Sequence, residues 1–426
     1  MGTSLAVDVV LPALPSSAGR ARRLVRDALA PLTAARSFAS ESLDSAQLAI
    51  SEVVTNALLH AGTPVRLRVL VAGARVRFEV GDGSAHLPVN RSHAPAAGTG
   101  RGLHLVAEVA DRWGVYRDDG GKVVWFELQD TETGSEHGEG PSGSPGAEPP
   151  GAHEIELRNV PLLMHAAWQE HAAALLREVL LTRIEDEPEA LEQHAAASDA
   201  LGLLCAQVPP PEVDDDAESI MANATEPGVS APRVVLRIPE DAVRHFDDLD
   251  TMLDSAAFLA DAGDLMSTPI QPEMRALRRW MCDQIRRQST GGPPERWSSP
   301  TGAPPATGRP LVWDSDSVTA APEALVAADD ASRIVAVSRP ALALLGYDDP
   351  GELVGERLLR IIPERYHQAH IAGFTLHLTN GRSPLIGTLV TVPVRRRDGD
   401  ETSLGLNVTL QHLVDGRPVF VAELHT

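Results

Sequence analysis

The amino-acid sequence predicts an α+β chain of several domains. Three observations carry this. The chain has 426 residues, more than one core usually organises. Stretches rich in Gly, Pro and Ser interrupt it. Between those breaks, strand-forming runs alternate with segments whose apolar positions recur every three or four residues.

Hydrophobic residues make up 43 % of the chain and aromatics only 4 %, so the cores must be built mainly from Ala, Leu and Val. The net charge of −22 argues against nucleic acid as the main partner, because phosphate binding needs a basic face. The acidic excess lies mostly in the middle of the chain; the first 130 residues are nearly balanced. The two cysteines, Cys205 and Cys282, are far apart in helical patterns, and both read as buried thiols. No apolar run approaches the ~18–20 residues of a membrane span, and no charged-then-apolar leader opens the chain. A cytoplasmic protein without a membrane partner is expected. Lys122 is the single lysine among 37 basic residues.

Residues 131–153, TETGSEHGEGPSGSPGAEPPGAH, have the composition of a disordered linker. A second break covers 291–310 and a weaker one 208–232, leaving regions 1–130, 154–290 and 311–426. The middle region carries an apparent repeat. EIELRNVPLLMHAAWQEHAAALLREVLL and RVVLRIPEDAVRHFDDLDTMLDSAAFL each read as a strand, a proline (Pro161, Pro239) and a long helix, and each is followed by a further helix. Proline suits such a junction because the first helical turn tolerates its missing N–H.

In the first region, DSAQLAISEVVTNALLHAG predicts a helix with an apolar stripe of Ala49, Ile50, Val53, Val54, Ala57 and Leu58. Glu52 and Asn56 leave one face of it, a turn apart. Asn56 can offer its amide oxygen to Mg²⁺, and Glu52 can orient or deprotonate a nucleophile. A solvated helix face presents such a pair equally well. Two strands follow, VRLRVLVA and RVRFEVGDG. The second ends at Asp82, which can accept from an adenine amino group while Gly83 lets backbone approach the ring. Gly98, Gly100 and Gly102 alternate just before an apolar helix starting near Leu103, where backbone amides and the helix dipole suit phosphate. Arg101 is a phosphate contact or a solvated loop residue. DDGGKVVWFEL turns into a final strand and sets Lys122 beside Gly120–Gly121, near a nucleotide or on the surface. His60 is a second helix-face ligand or a packed residue.

The order of these pieces resembles the N, G1, G2 and G3 boxes of the GHKL superfamily, and most closely the histidine-kinase-like ATPase domains of serine kinases that regulate anti-sigma pathways. The resemblance covers residues 18–128. It implies a Bergerat-type α/β sandwich, a mixed sheet with helices on one face. It also implies ATP and Mg²⁺ as ligands, with Asn56 on Mg²⁺, Glu52 as the catalytic carboxylate and Asp82 on adenine. Gly98, Gly100, Arg101 and Gly102 fall in the phosphate lid. Asp82-Gly83-Ser84 departs from the fuller D-x-G-x-G pattern of many relatives. A Rossmann reading is weaker because the glycine loop does not follow the first strand, and no P-loop signature occurs here. No phospho-accepting histidine helix precedes the domain, which favours a kinase acting on a separate protein's hydroxyl, or a nucleotide-dependent binder.

Residues 322–426 begin with two short strands around an Asp-rich turn. Helical turns including LLGYDDPGELVG follow, and then three strands with turns at Asp398–Gly399 and Asp415–Gly416. This order, with RRRDGDETSLGLNVTL, resembles PAS domains. The resemblance implies a small ligand or partner held by a curved sheet, and a homodimer. His370, with Phe374 one turn later, resembles the iron ligand of haem-binding PAS sensors, although Val390 stands where such sensors use an arginine; a structural or solvated histidine is the other reading.

The expectation is a signalling protein in which a PAS sensor and a helical middle region adjust an ATP-dependent serine kinase. Its partner would be an anti-sigma-factor antagonist or a sigma factor. The competing expectations are a nucleotide-dependent binder without turnover and a haem- or ligand-sensing regulator.

Overall fold

A computed structural model describes residues 4–14, 16–34, 40–72, 75–83, 106, 109–118, 121–129, 151–183, 187, 190–213, 217–300, 311, 313–381, 384–413 and 416–426. The chain forms two compact units. One gathers Met1–Ala152, Leu180–Ala206 and Arg244–Met252; the other gathers His153–Val179, Gln207–Val243 and Leu253–Thr426.

In the first unit, strands β1 (Ser4–Leu11), β2 (Val65–Ala72), β3 (Arg75–Asp82), β4 (Arg112–Asp118) and β5 (Gly121–Gln129) form one sheet in the order β1-β2-β3-β5-β4. Every pairing among them is antiparallel, where the resemblance implied a mixed sheet. The cause is local: β2–β3 and β4–β5 are joined by two-residue connections, which only antiparallel neighbours accept. Strands β1 and β4 are absent from the sequence-based expectation. The alternation in VRLRVLVA and RVRFEV sends Val65, Leu67, Val69, Val76, Phe78 and Val80 to one face. There they meet helices α1 (Ser16–Ala34) and α2 (Ser40–Ala61). Phe78 stacks on Phe126 with ring centroids 4.7 Å apart, worth about 0.5–1.5 kcal/mol beyond the area buried. The other face carries a charged ladder: Glu79 accepts from Arg68 and Arg77 at 2.9 Å each, and Arg77 also reaches Glu127 at 3.1 Å.

The middle region follows the order β6 (Ala152–Pro161), α3 (Leu162–Arg183), α4 (Ala190–Gln207), a short α5 (Ala217–Asn223), β7 (Ser230–Pro239), α6 (His245–Ala262) and α7 (Pro272–Ser289), with β6 and β7 in a two-stranded sheet. Both strands end on a proline, as the sequence repeat suggested. The break read at 291–310 is packed over its described part, residues 291–300. Trp297 is 6 % exposed, its N–H donates to Arg158 O at 2.9 Å, and its ring lies 5.6 Å from that of Trp280. One large aromatic there outweighs the loop-like composition around it. Cys282 is buried as expected and Cys205 only half-buried, at the flank of the buried stripe of α4.

The C-terminal sheet has the order β10-β11-β12-β8-β9, from β8 (Leu325–Ala328), β9 (Ile334–Val337), β10 (Val390–Arg395), β11 (Glu401–His412) and β12 (Pro418–His425). Helices α8 (Asp316–Thr319), α9 (Arg339–Leu345) and α10 (His367–Asn380) accompany it. Ser338 caps α9 by accepting from Ala341 N, and Gly346 ends that helix at φ +77°, the left-handed conformation glycine allows. Among the described residues no helix is long and apolar enough to cross a membrane.

Candidate nucleotide site

Helix α2 buries Ala49, Ile50, Val53, Val54, Ala57 and Leu58 and lies across β2, β3 and β5. That leaves Glu52 and Asn56 part-exposed, one turn apart on the same helix. The side chain of His60 lies outside the described residues, as do Gly98, Gly100, Arg101 and Gly102.

At the end of β3 the backbone packs closely against the start of β5. Asp82 pairs with Lys122 across the ladder. Gly121 has φ +134°, and a Cβ added there would fall 2.2 Å from Asp82 O, so only glycine fits. A Cβ on Gly83 would fall 3.0 Å from Thr63 Cγ2, and Gly83 N–H donates to Thr63 Oγ1 at 2.8 Å. Lys122 Nζ lies 3.2 Å from Asp82 Oδ2, with the two side chains 9 % and 1 % exposed. Lys122 is therefore no surface residue. A buried ammonium survives only beside a carboxylate, and Asp82 supplies it.

The structure thus joins Asp82, Gly83 and Lys122 in one cluster and sets Glu52 and Asn56 on the neighbouring helix. Sequence reading missed two members. Thr63 directly follows the helix-ending Gly62 and has no motif. Asp199 lies on α4, far along the chain, within electrostatic reach of Lys122 and Asp82. Burial pushes its carboxyl up to about 7; Lys122 opposes the rise and Asp82 adds to it.

The residue types suit a magnesium nucleotide. An amide oxygen and a carboxylate share one helix, while the spaces beside Gly83 and Gly121 are taken up by Thr63 and by the Asp82–Gly83 backbone. His370 stands elsewhere, on α10. Its Nε2 is 3.0 Å from Ser332 Oγ, and its ring is 5.7 Å from that of Phe374. Burial, with Arg357 and His367 adding to it, lowers its imidazole to about 3.

Residues 11–128 match the histidine kinase-like ATPase domain, and residues 317–376 match the PAS domain. An uncharacterized protein of Azorhizobium caulinodans is 33 % identical over 100 residues, which cover 24 % of this chain and 14 % of that protein, so the match spans a small part of that relative. Among solved structures, the PAS domain of an HTR-like protein from Haloarcula marismortui is 19 % identical, covering 26 % of this chain and 86 % of its own, with a TM-score of 0.21. A LOV protein of Rhodobacter sphaeroides is 17 % identical over 26 % of this chain and 63 % of its own, with a TM-score of 0.21. The chain joins a histidine kinase-like ATPase domain at its N-terminal end to a PAS domain.

Proposed function

We propose that the N-terminal domain binds Mg·ATP and passes the γ-phosphoryl group to a serine on an anti-sigma-factor antagonist, under control of the PAS domain. The observation that carries this reading is the pairing of one helix bearing Glu52 and Asn56 with a strand end bearing Asp82 and Gly83, inside the matched span 11–128. Asn56 would hold Mg²⁺, which supplies charge neutralisation at the phosphates. Asp82 would accept from the adenine amino group. Glu52 would take the proton of the attacking serine hydroxyl as its oxygen bonds to phosphorus and ADP leaves. General-base catalysis of this kind contributes about 10²–10⁴-fold.

The test is transfer of label from ATP to candidate antagonist proteins, with Glu52→Ala alongside. Transfer lost by about 10²-fold or more in the variant, with nucleotide affinity retained, supports the kinase. Tight binding with no transfer to any antagonist, but capture of a sigma factor, would instead make the domain a nucleotide-dependent binder. The C-terminal domain would take a small ligand or pair with a second copy of the chain; ligand extraction and sedimentation of the full chain test these.

A further inference from the structure

Helix α4 lies outside the 11–128 span of the ATPase match, yet it belongs to the same compact unit through residue 206. It is apolar over much of its surface, burying Ala195, Ala197, Ala200, Leu201, Leu203 and Leu204, and must be covered. Its first turns lie on Gly62, the residue that ends α2. A Cβ added to Gly62 would fall 2.7 Å from Ala195 Cβ, 3.4 Å from Leu191 O and 3.6 Å from Glu192 Cα. Gly62 has φ +60°, so glycine serves both the turn and the close approach. The next residue is Thr63, which holds Gly83 N–H. One turn beyond Ala195, on the same face of α4, Asp199 comes within electrostatic reach of Lys122 and Asp82. The helix therefore runs from Gly62 towards the carboxylate that the ATP-binding reading assigns to the base. That carboxylate side chain is only 1 % exposed. A base cannot donate to a group closed off from solvent until something moves.

We propose that α4 is an in-cis cap on the base end of the nucleotide site, so that α4 and Mg·ATP compete for the surface formed by Gly62, Thr63, Asp82 and Lys122. This rests on the ATP-binding reading above. When the competent state is only a fraction of the population, the apparent dissociation constant is weakened by that fraction. A middle region that draws α4 away thereby raises nucleotide affinity without touching the site's own residues.

Two measurements on the full chain test the cap. Hydrogen exchange of residues 190–207 is compared with and without Mg·ATP; the cap requires faster exchange with nucleotide, and slower or unchanged exchange overturns it. Ala195→Arg places a long charged side chain where only a methyl fits against Gly62. It is expected to bind ATP about tenfold more tightly, the gain from freeing a state about one-tenth populated. Unchanged or weaker affinity in a folded variant counts against the cap, and the exchange measurement on the unmodified chain needs no variant. Failure to bind any adenine nucleotide in either form would sink the ATP-binding reading and the competition together. Binding with unaltered α4 exchange and unaltered variant affinity would sink the cap alone.

Discussion

Lys122 Nζ and Asp82 Oδ2 are 3.2 Å apart across the β3–β5 ladder, and both side chains are buried. Each charge makes the other more tolerable in the interior. Removing one partner of a buried pair strands the other in low dielectric and costs about 3–5 kcal/mol. Lys122→Met is expected to destabilise the chain by about that amount, while Lys122→Met with Asp82→Asn loses clearly less. Urea unfolding of the two variants measures this. Equal losses in both would mean that the pair is not coupled.

Much of this arrangement was readable in advance. The Glu52–Asn56 spacing, the strand ending at Asp82 and the glycines at 120–121 are local signals, and local signals survive in sequence. The role of Lys122 was half-visible: its rarity marked it, but its burial follows from cross-strand register, which periodicity does not reveal. Thr63 and Asp199 carried no signal, because each reaches the cluster through tertiary packing across a long sequence separation. Trp297 carries no such signal for the opposite reason. Its neighbours are loop-formers, and a single anchor does not make a period. The C-terminal strand order was legible because Asp398–Gly399 marks a hairpin, and Gly399 indeed adopts φ +92°.

In the second unit Arg357 is 2 % exposed and donates to Glu273 at 2.5 Å and to Gln271 at 2.7 Å. A guanidinium so placed joins the residue that opens the Leu358–Arg360 turn to the start of α7 through a planar fork that lysine cannot reproduce. Arg357→Lys is expected to recover little of the loss seen in Arg357→Ala, which should reach about 3–5 kcal/mol. Arg357→Met paired with Glu273→Leu should restore much of it. Thermal unfolding of the three variants decides. A fully stable Arg357→Ala chain would contradict the account.

Acid should weaken the second unit through its buried imidazoles. His171 is 3 % exposed, and burial lowers it to about 4, against smaller upward pulls from the Thr268 backbone and Glu178. His370 is lowered to about 3. Both rings are neutral in the folded chain and take up a proton near pH 6.5 once unfolded. The unfolded state therefore binds more protons between pH 6.5 and these values, and stability falls as pH drops through that window. For His171 the loss is on the order of 3 kcal/mol. His171→Phe should flatten the acid limb of a stability–pH profile. A limb unchanged in that variant would assign the acid sensitivity to other groups.

Asp199 predicts the opposite slope for the first unit. Burial, reinforced by Asp82 and opposed by Lys122, raises its folded value to about 7 from an ordinary 3.8. The docked helix holds a proton that the free helix has released, so docking is strongest below pH 4 and is lost as pH rises through 7. Exchange of residues 190–207 should therefore quicken between pH 6 and pH 8 by more than the intrinsic chemical rate. Asp199→Asn keeps a neutral side chain of the same shape and cannot ionise. In that variant the excess quickening should vanish while exchange at pH 6 stays slow. An excess that persists in Asp199→Asn would locate the titration elsewhere and leave Asp199 without a part in holding α4.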